Sequence, residues 1–353
     1  PGAVLGPWGV PSAYGNPLSE QRILLSGSAL VDLSHRGVIT VTGPDRLSWL
    51  DSLLSQQLAT LPPHESVETL LLDPQGHIQH AMRIVDDGET TWLFVDEDRA
   101  PALAAWLDKM RFMKQVEVTD LSDTYATIGV WGESLDLPGT LVTWVDPWPD
   151  TLSGGWRYAT TDSSNPWEYR EVLIPRSELA SLAASDIPAV GLDALDALRV
   201  AAWRPRVVTE CDEKSLPHES DWLRTAVHMN KGCYRGQETV AKVHNLGHPP
   251  RRLVFVSLDG VENVLPVPGD VVQVEGSEVG VITSAARHHE EGLIALALVK
   301  RSVSAEAQLE VLSESVVIPG TQVVIVPTDA GKSANVPRIP RLGAVKRPTP
   351  SEQ

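Results

Sequence analysis

The sequence predicts an α+β fold that ends in a small β-barrel or sandwich. Three observations carry the prediction: amphipathic helical stripes alternate with short strands as far as residue 248, a composition break falls at Pro249-Pro250, and only strands bounded by Gly and Pro follow it. At 353 residues the chain exceeds one ordinary core, so several subdomains are expected, each large enough to fold without disulfides. The expected organisation is an N-terminal extension over 1–28, two α+β subdomains over 29–248, the barrel over 249–326 and a disordered tail over 327–353.

The first 25 or so residues are rich in Gly and Pro and read as extended chain; residues 29–43 read as strand, turn and strand. Pro44 suits a first helical turn, and Leu47, Leu50, Leu53, Leu54 and Leu58 then recur at three- and four-residue spacing, which predicts one apolar helical stripe. Strands at 69–72, 78–85 and 92–95, separated by the turns Asp73-Pro74-Gln75-Gly76 and Asp86-Asp87-Gly88, predict an antiparallel meander. A second helix is expected over 101–112 with Leu103, Trp106, Leu107 and Met110 inward, followed by strands near 116–119 and 126–130. Residues 171–175 read as a strand and 176–184 as a short helix. In 187–203 a central helix is expected to bury Leu192, Leu195 and Leu198 and to turn Asp193 and Asp196 to water. The barrel strands are expected at 252–258, 270–274, 279–283, 293–298 and 322–326. The tail, where Lys332, Arg338, Arg341, Lys346 and Arg347 stand among prolines, has too little apolar material to offset its ordering entropy.

Composition bounds the function. The 29 basic and 46 acidic side chains give a net charge of −17, whose field repels phosphate backbones, so no direct nucleic-acid binding is expected. No apolar run approaches the ~18 residues of a membrane span, and no membrane association or targeting segment is expected. The two cysteines, Cys211 and Cys233, form no CxxC pair. This argues against a metal centre held by the chain alone and suits a reducing, cytoplasmic setting.

The run Lys231-Gly232-Cys233-Tyr234-Arg235-Gly236-Gln237-Glu238 sets Cys233 between two glycines, a cation before it and an amide and a carboxylate after it. A cysteine reacts as thiolate, which nearby cations (Lys231, Arg235) or backbone N–H groups freed by Gly232 and Gly236 would favour. The packing alternative is a buried cysteine in a Gly-rich turn. Cys211 has acidic neighbours that disfavour its thiolate, and is expected to be the less reactive of the two.

This octapeptide resembles the signature of the YgfZ-type folate-binding proteins, relatives of the glycine-cleavage T-protein, an aminomethyltransferase. Asp32-Leu33-Ser34-His35 with Val41-Thr42-Gly43-Pro44-Asp45 is similar to the superfamily's opening, 191–199 to its central helix and 251–301 to its C-terminal barrel. The resemblance implies a ring of three subdomains around a channel that binds tetrahydrofolate or a one-carbon derivative. A pterin calls for an aromatic slot and a carboxylate or amide at its edge, and the ligand's carboxylates call for a cation. Carried over, the motif supplies Cys233 and Lys231 as catalytic candidates and Gly232, Tyr234, Gly236, Gln237 and Glu238 as ligand-binding ones. Arg199 is either a ligand cation or a residue satisfying helix-end carbonyls. Glu171 matches an acidic strand position. One departure bears on mechanism: where the T-protein has two acidic residues after a Gly-x-Ile-x turn, this chain has Gly76-His77-Ile78-Gln79-His80-Ala81, so aminomethyl transfer is placed in doubt. His80 is either a proton carrier that stands in or a strand histidine with an ordinary packing or surface role. The resemblance therefore implies a folate-binding factor that serves iron–sulfur assembly or client proteins, and through one client tRNA modification. The alternatives are a one-carbon transferase or demethylase and a non-catalytic scaffold.

Overall fold

A computed structural model describes residues 2–133 and 135–333. The chain runs β1 (Val4–Leu5), β2 (Pro11–Ala13), α1 (Pro17–Leu25), β3 (Leu30–Asp32), β4 (Gly37–Thr42), α2 (Arg46–Leu53), β5 (Ser66–Leu72), β6 (Ile78–Asp86), β7 (Thr90–Val95), α3 (Ala100–Lys109) and β8 (Glu117–Asp120). It continues β9 (Tyr125–Trp131), β10 (Val142–Val145), β11 (Tyr169–Pro175), α4 (Leu179–Ala183), β12 (Ala189–Val190), α5 (Leu192–Ala201), α6 (Val207–Glu210), α7 (Leu223–Ala226) and α8 (Gln237–Leu246). Last come β13 (Arg251–Leu258), β14 (Val271–Val274), β15 (Ser277–His288), β16 (Gly292–Lys300), β17 (Leu309–Ser313) and β18 (Val316–Val324).

These build two five-stranded sheets, ordered β5-β6-β7-β4-β8 and β10-β11-β9-β3-β12, and a closed six-stranded barrel, β13-β16-β15-β14-β17-β18. The α+β class and terminal barrel are as expected. One sheet face carries Ile39, Met82, Ile84 and Leu93 into a core closed by Trp49 and Leu50 of α2 and Leu103 and Leu107 of α3. In the barrel, even-numbered Val254, Val256 and Leu258 point inward while odd-numbered Leu253 and Phe255 pack outward on the main core, the period-2 alternation of a strand buried on both faces.

Several expectations are corrected. The N-terminal segment is extended only in its first part, where β1 and β2 pair: Asn16 then caps α1 by accepting from Leu18 N–H at 3.0 Å, Pro17 opens the helix, and Gln21 and Leu24 are buried. The stripe 44–58 gives a helix only to Leu53, because Leu54 turns extended and Leu58 is buried from a loop. Strand β17 was missed because its hairpin to β18 turns through Glu314 and Ser315, both at positive φ, with no Gly or Asn to signal it. Asp196 is half-exposed as expected but also pairs with Arg199 and Arg206. The tail is packed as far as 333: Ala330 is buried and Ser333 N–H donates to His244 O at 2.9 Å, where the end of α8 leaves carbonyls free. The rest of the tail lies outside the described residues.

Candidate functional site

Between the two sheets, α5 and the segment after it lies a cavity walled by Trp144, Trp167, Tyr169 and Trp222. Five arginines (Arg36, Arg83, Arg199, Arg204, Arg206) and five carboxylates (Glu68, Asp96, Asp146, Glu171, Asp196) also line it. Equal numbers of opposite charge let each ion be buried beside a partner, the condition for tolerating charge in a low-dielectric interior.

The pairing is specific. Arg204 donates from Nη2 to Glu68 Oε1 (2.6 Å) and from Nε to Asp146 Oδ2 (2.9 Å), and lies 5.1 Å from the Trp148 ring. Asp146 also accepts Trp167 Nε1–H at 2.8 Å. Burial and the neighbouring Glu68 still raise the Asp146 carboxyl above its ordinary value, against the pull of Arg204. Glu171, fully buried on β11, accepts from Arg36 Nη1 at 2.5 Å and Tyr169 OH at 3.0 Å, with Arg83 Nε 3.2 Å away. Arg83 also donates to Asp96 at 3.0 Å. Burial opposes ionisation of Asp96, yet Arg83, Arg206 and Arg36 together hold it below the usual range. Arg206 donates to Glu97 Oε1 at 2.6 Å. Arg199 lines the cavity, but its guanidinium is spent on Asp196 (3.0 Å), Glu210 (3.1 Å), the Arg204 carbonyl (2.9 Å) and Ser284 of the barrel (2.8 Å). It joins α5 to β15 rather than standing free for a ligand.

Among the described residues, several buried polar atoms here find no hydrogen-bond partner: Arg36 Nε, Arg206 Nε, Trp222 Nε1 and Glu171 Oε2, the last with only the ion-pair contact to Arg83 Nε at 3.2 Å. Unmet donors and an acceptor between aromatic walls fit a flat ligand with both kinds of group along its edge.

Strand β6 presents Ala81 and Arg83 to the cavity. The residues between and beyond them, Met82 and Ile84, enter the opposite core, so His80 lies on that far face. Burial, with Arg99 nearby, lowers the His80 pKa to about 4. His80 therefore does not face the ligand space; the inward position of the expected acidic pair is the methyl group of Ala81.

The cysteine motif stands elsewhere, and two expectations about it are corrected. Cys233 is exposed and is not among the residues lining the cavity. Lys231 is buried with its Nζ on the carbonyls of Asp51 (2.6 Å), Leu54 (2.9 Å) and Gln56 (2.6 Å) and on the Asp51 carboxylate (3.1 Å). Its ammonium caps the carbonyl end of α2, where the chain turns extended at Leu54, and is not free to stabilise a thiolate. Tyr234 is buried beneath it, 5.6 Å from Nζ to the ring centre. Gly236, at φ +84, opens α8 and lies against the β5–β6 turn; a Cβ there would come within 2.6 Å of Asp73 O. Gly232 has open space around it, Gln237 Nε2 reaches the Lys231 carbonyl at 3.4 Å, and Glu238 is exposed. None of these lines the cavity. The motif fastens α8 to the turn that leads into β6 and leaves the sulfur of Cys233 outside. Cys211 is held as a thiol by burial and by Glu210, Glu219 and Asp212.

Sequence reading missed Arg36, Glu68, Arg83, Asp96, Asp146, Arg204 and Arg206. The available signal was Arg204-Pro205-Arg206 directly after the central helix, two arginines fixed by a proline beside an already suspected Arg199.

Asp221, next to Trp222, is fully buried at φ +59, where its Oδ1 accepts Tyr158 N–H at 2.5 Å. Burial pushes its pKa up to about 6, against that hydrogen bond and Arg224. The folded value exceeds the unfolded one, so the native state binds the extra proton. Its stabilising contribution is full below the unfolded carboxylate pKa and is lost as pH rises through about 6. Asp221→Asn is expected to remove about 1 kcal/mol of the stability difference between pH 5 and pH 7, read by urea unfolding at both. An unchanged difference would show that Asp221 is already ionised at pH 5.

Residues 3–137 match the family described as GCVT N-terminal domain. The chain is 28% identical over 243 residues to an iron–sulfur cluster assembly factor IBA57 homolog, mitochondrial, of Mycosarcoma maydis, a match covering 65% of this chain and 57% of that relative. It is 27% identical to an aminomethyltransferase of Moorella thermoacetica, with 87% and 88% of the two chains covered. The crystal structure of glycine cleavage system aminomethyltransferase T from Bartonella henselae superposes with a TM-score of 0.72 at 20% identity over 93% of this chain and 94% of that one, a likeness of fold.

Proposed function

We propose, on the match of residues 3–137 to the GCVT N-terminal domain and the likeness to aminomethyltransferases and an IBA57 homolog, that the chain is a member of the glycine-cleavage T-protein superfamily and a tetrahydrofolate-binding factor of the YgfZ/IBA57 type that supports iron–sulfur cluster assembly or repair in client enzymes. The observation that carries the reading is Ala81. The cavity keeps a buried carboxylate, aromatic walls and guanidinium groups, but β6 offers a methyl group where an aminomethyltransferase pattern calls for a carboxylate. A pocket of this kind holds a folate without a group to take or give a proton from that strand.

In this reading Glu171 accepts from the pterin edge, Arg36 and Arg83 fix its orientation, and Trp144, Trp167 and Trp222 sandwich the ring and exclude water. Tetrahydrofolate, when bound, supplies nitrogens that carry one-carbon units. Exposed Cys233 is then available to a partner protein, as a redox-active or sulfur-handling thiol, rather than to the ligand. Clients are reached in the cytoplasm, and any effect on tRNA modification passes through an iron–sulfur client.

Thermal unfolding with tetrahydrofolate tests the ligand: a compound that binds the native state alone raises the transition temperature as its concentration passes the dissociation constant. The wild-type chain is expected to show this rise, and Glu171→Gln to need at least about tenfold more ligand for the same rise, because one charge-assisted hydrogen bond is worth about 1.5 kcal/mol or more. No rise in the wild type would sink the proposal. Steady product formation from an aminomethyl donor would favour a transferase instead.

A further inference from the structure

Among the described residues, Met113 at 97% and Phe112 at 83% exposure are the most exposed large apolar side chains. They sit on the loop between α3 and β8, which a set of hydrogen bonds ties to its surroundings. Lys114 N–H donates to Arg111 O (2.9 Å), Val116 N–H to Lys114 O (3.0 Å) and Gln115 N–H to Asp45 Oδ2 (2.9 Å). Gly43, at φ +103, lies so near the loop that a Cβ would stand 2.2 Å from Gln115 O. Phe112 itself is at φ +48, an unfavourable conformation for an aromatic residue that the surrounding hydrogen bonds impose. A fold that fixes two apolar side chains in water, one of them strained, marks a contact surface.

What the surface contacts follows from charge. Arg111 and Lys114 flank the pair and Lys109 closes α3 just before it, on a chain of net charge −17; Arg111 also pairs with Asp108 at 3.0 Å, and a groove runs from the pair past Asp45 to Trp49 and Leu53 of α2. Arg235, two residues after Cys233, stacks 5.7 Å from the ring of Trp106, one turn of α3 before Met110. The loop and the exposed sulfur thus share one side of the molecule. A second copy meeting through the same loop would bring like charges together. The segment after 333, with Arg338, Arg341, Lys346 and Arg347, has the wrong sign to cover it.

We propose that the Arg111–Lys114 loop, with the groove beside α2, is a docking surface for an acidic protein partner, on the side of the molecule that carries Cys233. Phe112 and Met113 supply the buried anchors, and the cations around them set orientation and association rate.

A photo-crosslinking benzophenone amino acid placed at position 113 of the full chain, in cells, tests it. The expected result is an adduct with an acidic protein, absent when the probe stands at exposed Val261 and reduced at least about tenfold by Arg111→Glu with Lys114→Glu. No adduct, an adduct with a second copy or with nucleic acid, or one that survives the charge reversal would overturn it. A second arm rests on the iron–sulfur reading: Phe112→Ser with Met113→Ser should lower the client activity that the wild type restores to deletion cells, while tetrahydrofolate stabilisation stays unchanged. If the wild type restores nothing, the client reading fails and the adduct alone judges the surface; if the double variant restores activity fully, the docking surface is refuted.

Discussion

Arg204→Met is expected to cost about 3–5 kcal/mol of stability, the penalty for leaving buried carboxylates without their cation. Glu68, Asp146 and Arg204 are 2%, 6% and 5% exposed, so water cannot take over the lost partner. The guanidinium joins β5, through Glu68, to the segment after β10, through Asp146, and Glu68 is fixed further by Thr225 Oγ1–H at 2.8 Å. Removing the cation leaves two carboxylates facing one cavity, so burial and Glu68, which already raise the Asp146 carboxyl, act on it unopposed. The native state of the variant then binds more protons than the unfolded chain, and its stability falls as pH rises. Urea unfolding should therefore find the deficit larger at pH 8 than at pH 5. Adding Glu68→Gln and Asp146→Asn to the variant should return much of the loss, because neutral amides need no counter-charge. A deficit below about 1 kcal/mol would mean that water reaches the carboxylates and that the cavity is wetter than its burial implies.

The same network explains why the fold was more legible than the site. Helices α3 and α5 and strands β5, β6 and β7 each announce themselves within a window of ten residues, through apolar spacing and turn residues, so local reading finds them. The cavity has no such window. Arg204 meets Glu68 across 136 residues of sequence and Arg36 meets Glu171 across 135, and each residue alone reads as an ordinary surface charge. Glu171 was found because a resemblance, not a pattern in this chain, pointed to its strand. The octapeptide shows the converse error. Its order suggested a thiol with a cation beside it, whereas the cation turns inward to carbonyls 175 to 180 residues away, a partner no local spacing can reveal. The barrel was legible except for β17, whose turn is made by residues that do not usually make one.

That geometry separates the two residues of the motif in a way that chemistry alone would not. Lys231→Met should destabilise the chain by about 2–4 kcal/mol, since three carbonyls and the Asp51 carboxylate lose a charged donor in a buried place. Cys233→Ala should change stability by less than about 0.5 kcal/mol, because an exposed side chain gives up little packing. The rate at which iodoacetamide alkylates Cys233, measured where each variant is fully folded, should be the same with and without Lys231. Under the proposed function the two substitutions abolish client activity for different reasons, and only the lysine variant should be rescued by lowering the temperature. A Lys231→Met protein that kept its stability but alkylated tenfold more slowly would show instead that the ammonium acts on the sulfur, and would return Lys231 to the chemistry from which its three carbonyl partners remove it.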